Sequence, residues 1–196
     1  MSNTREKTLM LTRMGIFTAI VIVLQLLAAT LARAGIFTVS LVLVPIVIGS
    51  ALYGWKAGTW LGFVFGVIVL LTDAGTFLAI NVFGTVLVCL LKGMLAGAAA
   101  AGVYKLLENK NRWAAILAAA VVCPIVNTGV FLLGCALFFY DTLAEWAAGM
   151  GFDNVGTYMI VGLVGFNFLF ELGANLVLSP IVMRLLNIVK KPAVQA

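Results

Sequence analysis

The sequence predicts an all-α, polytopic membrane protein of six transmembrane helices with both termini in the cytoplasm. Three observations carry this expectation. Of the 196 residues, 64% are hydrophobic and only 10% charged, where a soluble domain is about a quarter charged. The mean hydropathy is +1.19. Apolar runs alternate with short polar or Gly/Pro breaks, and Lys and Arg gather at every second break. A hydrocarbon core about 30 Å thick needs roughly 20 residues per helix. The chain is therefore read as one transmembrane domain over residues 1–196, with no room for a separate soluble one.

The first span runs from about Leu9 to Leu31. A signal peptide competes with it, because Ala32-Arg33-Ala34 makes an A-x-A-like end. The run from Met14 is longer than the usual h-region of about 7 to 15 residues, and its removal would leave an odd number of spans. The second and third spans, Ile36 to Tyr53 and Trp55 to Leu71, are joined only by Tyr53-Gly54-Trp55-Lys56, short enough to require adjacent antiparallel helices or a tightly broken pair, and are expected to pack as a hairpin. The fourth, fifth and sixth are Val82 to Leu107, Trp113 to Phe139 and Tyr158 to Val189. Orientation follows from the basic residues. Arg5, Lys7, Arg13, Lys56, Lys105, Lys110, Arg112, Arg184, Lys190 and Lys191 all fall on one side, predicted cytoplasmic. The other side carries Arg33 with Asp73, Asp141, Glu145 and Asp153, and two longer loops, about Thr72 to Asn81 and Tyr140 to Thr157.

Several chemistries are excluded. The chain has no histidine, which removes HExxH sites and Ser-His or Cys-His pairs. Cys89, Cys123 and Cys135 lie in apolar runs without metal-ligand spacing, so neither a disulfide framework nor a metal or other cofactor is expected. The net charge of +5 is spread along the chain rather than gathered in a stripe, which argues against nucleic acid. No GxxxxGK[ST] loop is present, so an active transporter of this sequence needs a partner or an ion gradient. An enzyme is not expected.

Gly54, Gly58, Gly62 and Gly66 recur at every fourth position in the third span, with a shorter series, Gly93, Gly97 and Ala101, in the fourth. Both read as surfaces for close helix packing inside the bundle. Gly15 and Ala19 on the first span form a further small pair, suited to a partner protein.

Lys92 and Glu171 lie deep in apolar segments, where an unpaired charge costs several kcal/mol. Counting from the outer ends, they sit about 15 and 20 Å down their helices, near enough in level to meet. Asn127 follows Pro124, and Asn167, Glu171 and Asn175 recur every four residues along the sixth span. One reading makes these an ion pair and an amide ladder that hold the helices in register. The other makes an outer-half pocket with Lys92 as donor to an anion or carbonyl and Asn127 and Asn167 as amide contacts. Glu171 then positions Lys92 or accepts from a hydroxyl. Arg33 serves either as an interfacial snorkelling residue or to steer an anionic solute at the mouth. Trp60, Phe77, Phe83, Phe131 and Trp146 are candidates for stacking on a ring.

These features resemble the substrate-binding S component of energy-coupling factor (ECF) transporters, the prokaryotic vitamin-uptake systems. The resemblance rests on the basic tail running into TRMGIFTA, on LVPIVIGSALYGWKAGTWLGFVFG and on CLLKGMLAGAAAAGVYKLL, and is strongest toward the pantothenate, riboflavin and folate-type branch. In that family small residues on the first helix, often Ala-x-x-x-Ala, touch the coupling subunit; Gly15 and Ala19 hold the matching positions, with Gly in place of the first Ala. The resemblance implies a vitamin held by the first loop and helices four to six, a transmembrane coupling subunit, two ATPases, and a location in the prokaryotic plasma membrane. Lys92, Asn127, Asn167 and Arg33 suit a polar carboxylate such as pantothenate first, with riboflavin or folate next. The rival is a stand-alone carrier in which Glu171 or Asp73 is the proton or cation site.

Overall fold

The computed structural model describes residues 2–33 and 41–189, with the side chains of 7–33 and 41–187. Ala34, Gly35, Ile36, Lys190 and Lys191 lie outside the described residues, as does the Arg5 side chain. The elements are α1 (Ser2–Arg33), α2 (Leu43–Tyr53), α3 (Trp55–Thr72), α4 (Gly75–Ile80), α5 (Val82–Leu107), α6 (Arg112–Phe138), α7 (Tyr140–Gly149), α8 (Val155–Thr157), a π-helical turn (Tyr158–Leu163) and α9 (Gly165–Val189). No strand occurs among the described residues. The fold is all-α and polytopic: α1, α3, α5, α6 and α9 are each long and apolar enough to cross a bilayer.

Two predicted spans come out differently. The described helix of the second begins at Leu43 and has 11 residues, a length of about 16 Å that does not cross a bilayer by itself. The sixth is divided, with a π-helical turn and a break at Val164 before α9 begins. Gly162 and Gly165 flank that break, and glycine is among the poorest residues in a helix interior. The two longer loops are also folded, into α4 and into α7 with α8.

Helix starts are set by side chains. Asn81 Oδ1 accepts from Gly84 N at 2.9 Å and opens α5. Asn111 Oδ1 accepts from Trp113 N at 2.9 Å and opens α6, each cap being worth about 1 kcal/mol. At Gly54 φ is +79°, a left-handed value that lets α2 turn directly into α3. This glycine therefore serves the turn, while the other three of its series serve packing. A Cβ on Gly58, Gly62 or Gly66 would collide with the backbone of Gly97, Gly93 or Cys89 respectively. α3 and α5 thus run antiparallel at backbone contact, which gives dispersion contacts that lipid cannot supply to a bulkier surface. Ser50 on α2 closes the same seam by donating to Gly97 O at 3.0 Å. α6 lies beside α5, with Gly134 against Val88 and Phe138 against Gly84. One buried cluster fills the middle of the bundle around Leu43, Ile46, Leu61 and Ile116. A second, around Cys135, Phe139, Leu143 and Tyr158, fastens α7 and the π-helical turn to the end of α6.

Candidate functional site

Lys92, Asn127, Asn167, Glu171 and Arg33 all line one cavity of about 510 Å³. It lies between the C-terminal ends of α1 and α3, the middle of α5 and α6, and the first half of α9, in the half of the bundle away from Lys7, Lys56, Lys110 and Arg184. Five elements of distant sequence converge there. Within a medium of low polarity such a gathering of charged and amide groups is costly unless it meets solute or water.

Each side chain has a distinct setting. Lys92 is half-buried, with Nζ 5.5 Å from the centroid of the Phe65 ring and 5.2 Å from that of Phe131. The ring faces stabilise the cation while leaving its hydrogen-bonding capacity available to an anion. Asn127 is 5% exposed, and its Oδ1 is buried with no hydrogen-bond partner. It follows Pro124, which lacks an N–H and so frees a carbonyl of the preceding helical turn. Asn167 is exposed at the cavity, and Glu171, four residues later on the same face of α9, is buried. Asn175, next on that stripe, does not reach the cavity; its Nδ2 donates to Glu171 O at 2.8 Å, and Ser179 Oγ in turn donates to Asn175 O at 2.7 Å. Its side-chain bond stays within α9.

Arg33 is the last described residue of α1 rather than part of a free loop, and its Nη2 donates to Thr72 O at 2.6 Å. The guanidinium reaches the carbonyl end of α3, where a cation also offsets the helix dipole. Two further cavity residues were not in the pocket set read from the sequence. Gln25 is 5% exposed in α1, and its Nε2 donates to Asp73 Oδ2 at 2.6 Å. Asp73, assigned from sequence to an outer loop, caps α3 and enters the cavity wall. A lone glutamine inside an otherwise apolar span was the available signal. Ala28, Ala29 and Ala32 provide space on the same wall.

Of the aromatic candidates, Phe131 lines adjoining lobes of the cavity, and Phe77 packs edge-on against Phe131, Phe139 and Trp146. Trp60 and Phe83 are elsewhere: Trp60 Nε1 donates to Thr18 Oγ1 at 3.1 Å between α3 and α1, and Phe83 is 71% exposed. On α1, Gly15 and Ala19 are exposed, and a Cβ on Gly15 would meet nothing within 4 Å.

A polytopic helical bundle with a solute-sized, charge-bearing cavity confined to one half is the class that fold and site define. The particular family follows from the chain itself: residues 9–183 match the family described as the ECF transporter, substrate-specific component, and the protein belongs to that family. It is accordingly a multi-pass membrane component that works with an ECF module and a small-molecule substrate, in a family of transport components rather than enzymes. No curated protein and no solved structure matches the chain.

Proposed function

We propose that the 510 Å³ cavity is the substrate site, and that the protein captures a vitamin or vitamin-like molecule from outside for release by an ATPase-driven module. The observation that carries this is the convergence of Lys92, Asn127, Asn167, Glu171 and Arg33 on one cavity. Lys92 donates to a carboxylate or carbonyl of the substrate. Asn127 and Asn167 supply amide contacts, Glu171 accepts from a hydroxyl or positions Lys92, and Arg33 attracts the anion at the rim. Pantothenate, a carboxylate with hydroxyl and amide groups, suits this set first; riboflavin and folate follow. The coupling subunit docks on the exposed Gly15 and Ala19 face of α1. Two ATPases supply the energy, and both termini of the six-helix domain face the cytoplasm of a prokaryotic cell.

Titration of the purified chain with pantothenate, riboflavin, folate, thiamine, biotin and pyridoxine, read by the fluorescence of its four tryptophans, tests this. Saturable one-to-one binding of one of them at micromolar concentration or below is expected. Uptake of such a compound into liposomes holding this chain alone would instead favour a stand-alone, ion-coupled carrier.

A further inference from the structure

Lys92 borders three spaces. Besides the main cavity it lines a lobe of about 180 Å³ between α6 and α9 and a second of about 160 Å³ enclosed by α3, α4, α5 and α6. Phe131 is shared by the two lobes and divides them. Their chemistry is opposite. The first lobe holds Asn127, Thr128, Asn167 and Glu171, including the partnerless, buried Asn127 Oδ1, an acceptor that calls for a donor.

The second is walled by Val69, Ala74, Phe77, Val88, Phe131 and Phe139. Its polar groups are few: Lys92 and Asp73 also line the main cavity and stand where the two spaces meet, and the others are bonded or weak. Thr85 Oγ1 donates to Asn81 O at 2.7 Å, Asp73 accepts from Gln25, and Cys89 is a poor hydrogen-bond former. A polar group placed beyond that edge, among Phe77, Val88, Phe131 and Phe139, would lose its hydration without replacement, whereas an apolar one gains from leaving water. An apolar cavity of about 150 Å³ accommodates benzene.

Resting on the reading of the main cavity as the substrate site, we infer that the substrate has three parts in a set order. A carboxylate or carbonyl sits at Lys92, an O–H or N–H donor reaches Asn127 in the polar lobe, and a compact apolar group of about one six-membered ring or a branched alkyl enters the lobe beneath α4. A fused tricyclic ring system exceeds that lobe. Phe131 separates the two ends and Lys92 holds the junction.

The test uses the full chain in phospholipid nanodiscs and two probes, 3-phenylpropionate and propionate, followed by saturation-transfer NMR with empty nanodiscs as the blank. The chain is expected to bind 3-phenylpropionate at least tenfold more tightly than propionate. Ala74→Phe, which fills the apolar lobe from the buried N-cap of α4, should remove that advantage and leave propionate unchanged. Thr85→Met is the second filling variant should Ala74→Phe not fold. Equal binding of the two probes, or an advantage that persists in a folded filled variant, overturns the assignment. If a vitamin from the panel binds in a Lys92-dependent manner while 3-phenylpropionate shows no advantage, the apolar lobe fails and the importer reading stands. If the probe behaves as expected while every vitamin is silent, the lobe is supported and the vitamin reading falls.

Discussion

Lys92 and Asn127 have opposite energetic characters. The Lys92 ammonium is held between Phe65 and Phe131 and directed at the cavity. Removing it as Lys92→Ala should weaken substrate binding roughly 10- to 100-fold, since a hydrogen bond to a charged group contributes about 1.5–3 kcal/mol. A change below twofold in a folded variant, measured by fluorescence titration, would exclude the contact. Asn127 buries an oxygen with no partner among the protein's own groups, which costs about 1–3 kcal/mol wherever no donor reaches it. Asn127→Leu is therefore expected to raise the melting temperature by about 2 °C or more while lowering affinity at least tenfold. A variant both less stable and equally tight would contradict this. Sequence alone marked both residues, because a polar group inside an apolar run stands out. It did not mark Gln25, whose bond to Asp73 depends on α1 meeting the end of α3. Nor did it show that Arg33 spans to Thr72, a contact between residues remote in the chain.

Among helices, glycines of similar spacing do different work. Gly62 lies on the Gly93 backbone with no space for a Cβ, whereas Gly15 opens onto nothing. Gly62→Leu should therefore prevent recovery of monodisperse folded protein, because backbone contact across the α3 and α5 seam cannot relax around a side chain. The pair Gly15→Leu and Ala19→Leu should leave folding and vitamin titration intact and abolish co-purification with the coupling subunit. Recovery of the complex would remove the docking role from this face. Internal use of the α3 and α5 glycines and the tight connection at Gly54 were legible from the sequence; the positive φ that gives Gly54 a different task from the rest of its series was not. The division of the sixth span at Val164 was also hidden. Its glycines weaken a helix, but where the backbone departs from α geometry depends on packing, and Tyr158 lies across Gly162.

At the scale of the whole molecule, the ten basic residues read as cytoplasmic are proposed to orient the bundle so that the cavity opens outward. Asp153→Cys should react with an impermeant maleimide on intact cells, and Asn109→Cys only after permeabilisation. The native cysteines are all buried, so the unaltered chain provides the blank. The reverse pattern would invert the topology and place the cavity on the cytoplasmic side.

Composition and run length were enough to determine a helical membrane protein and the approximate bounds of α1, α3, α5 and α6, because lipid demands long apolar segments with internally paired backbone. The spacing of small residues also indicated where helices touch. Which face of each helix looks inward was a different matter. Lipid and core are equally apolar, so the alternation that marks the inner face of a soluble helix is weak here. Only tertiary structure could bring Arg33, Lys92, Asn127, Asn167 and Glu171 to one cavity, add Gln25 and Asp73 to its wall, and divide it at Phe131 into a polar and an apolar lobe. Those relations depend on distances between helices far apart in the chain, set by the contact of backbones at glycine.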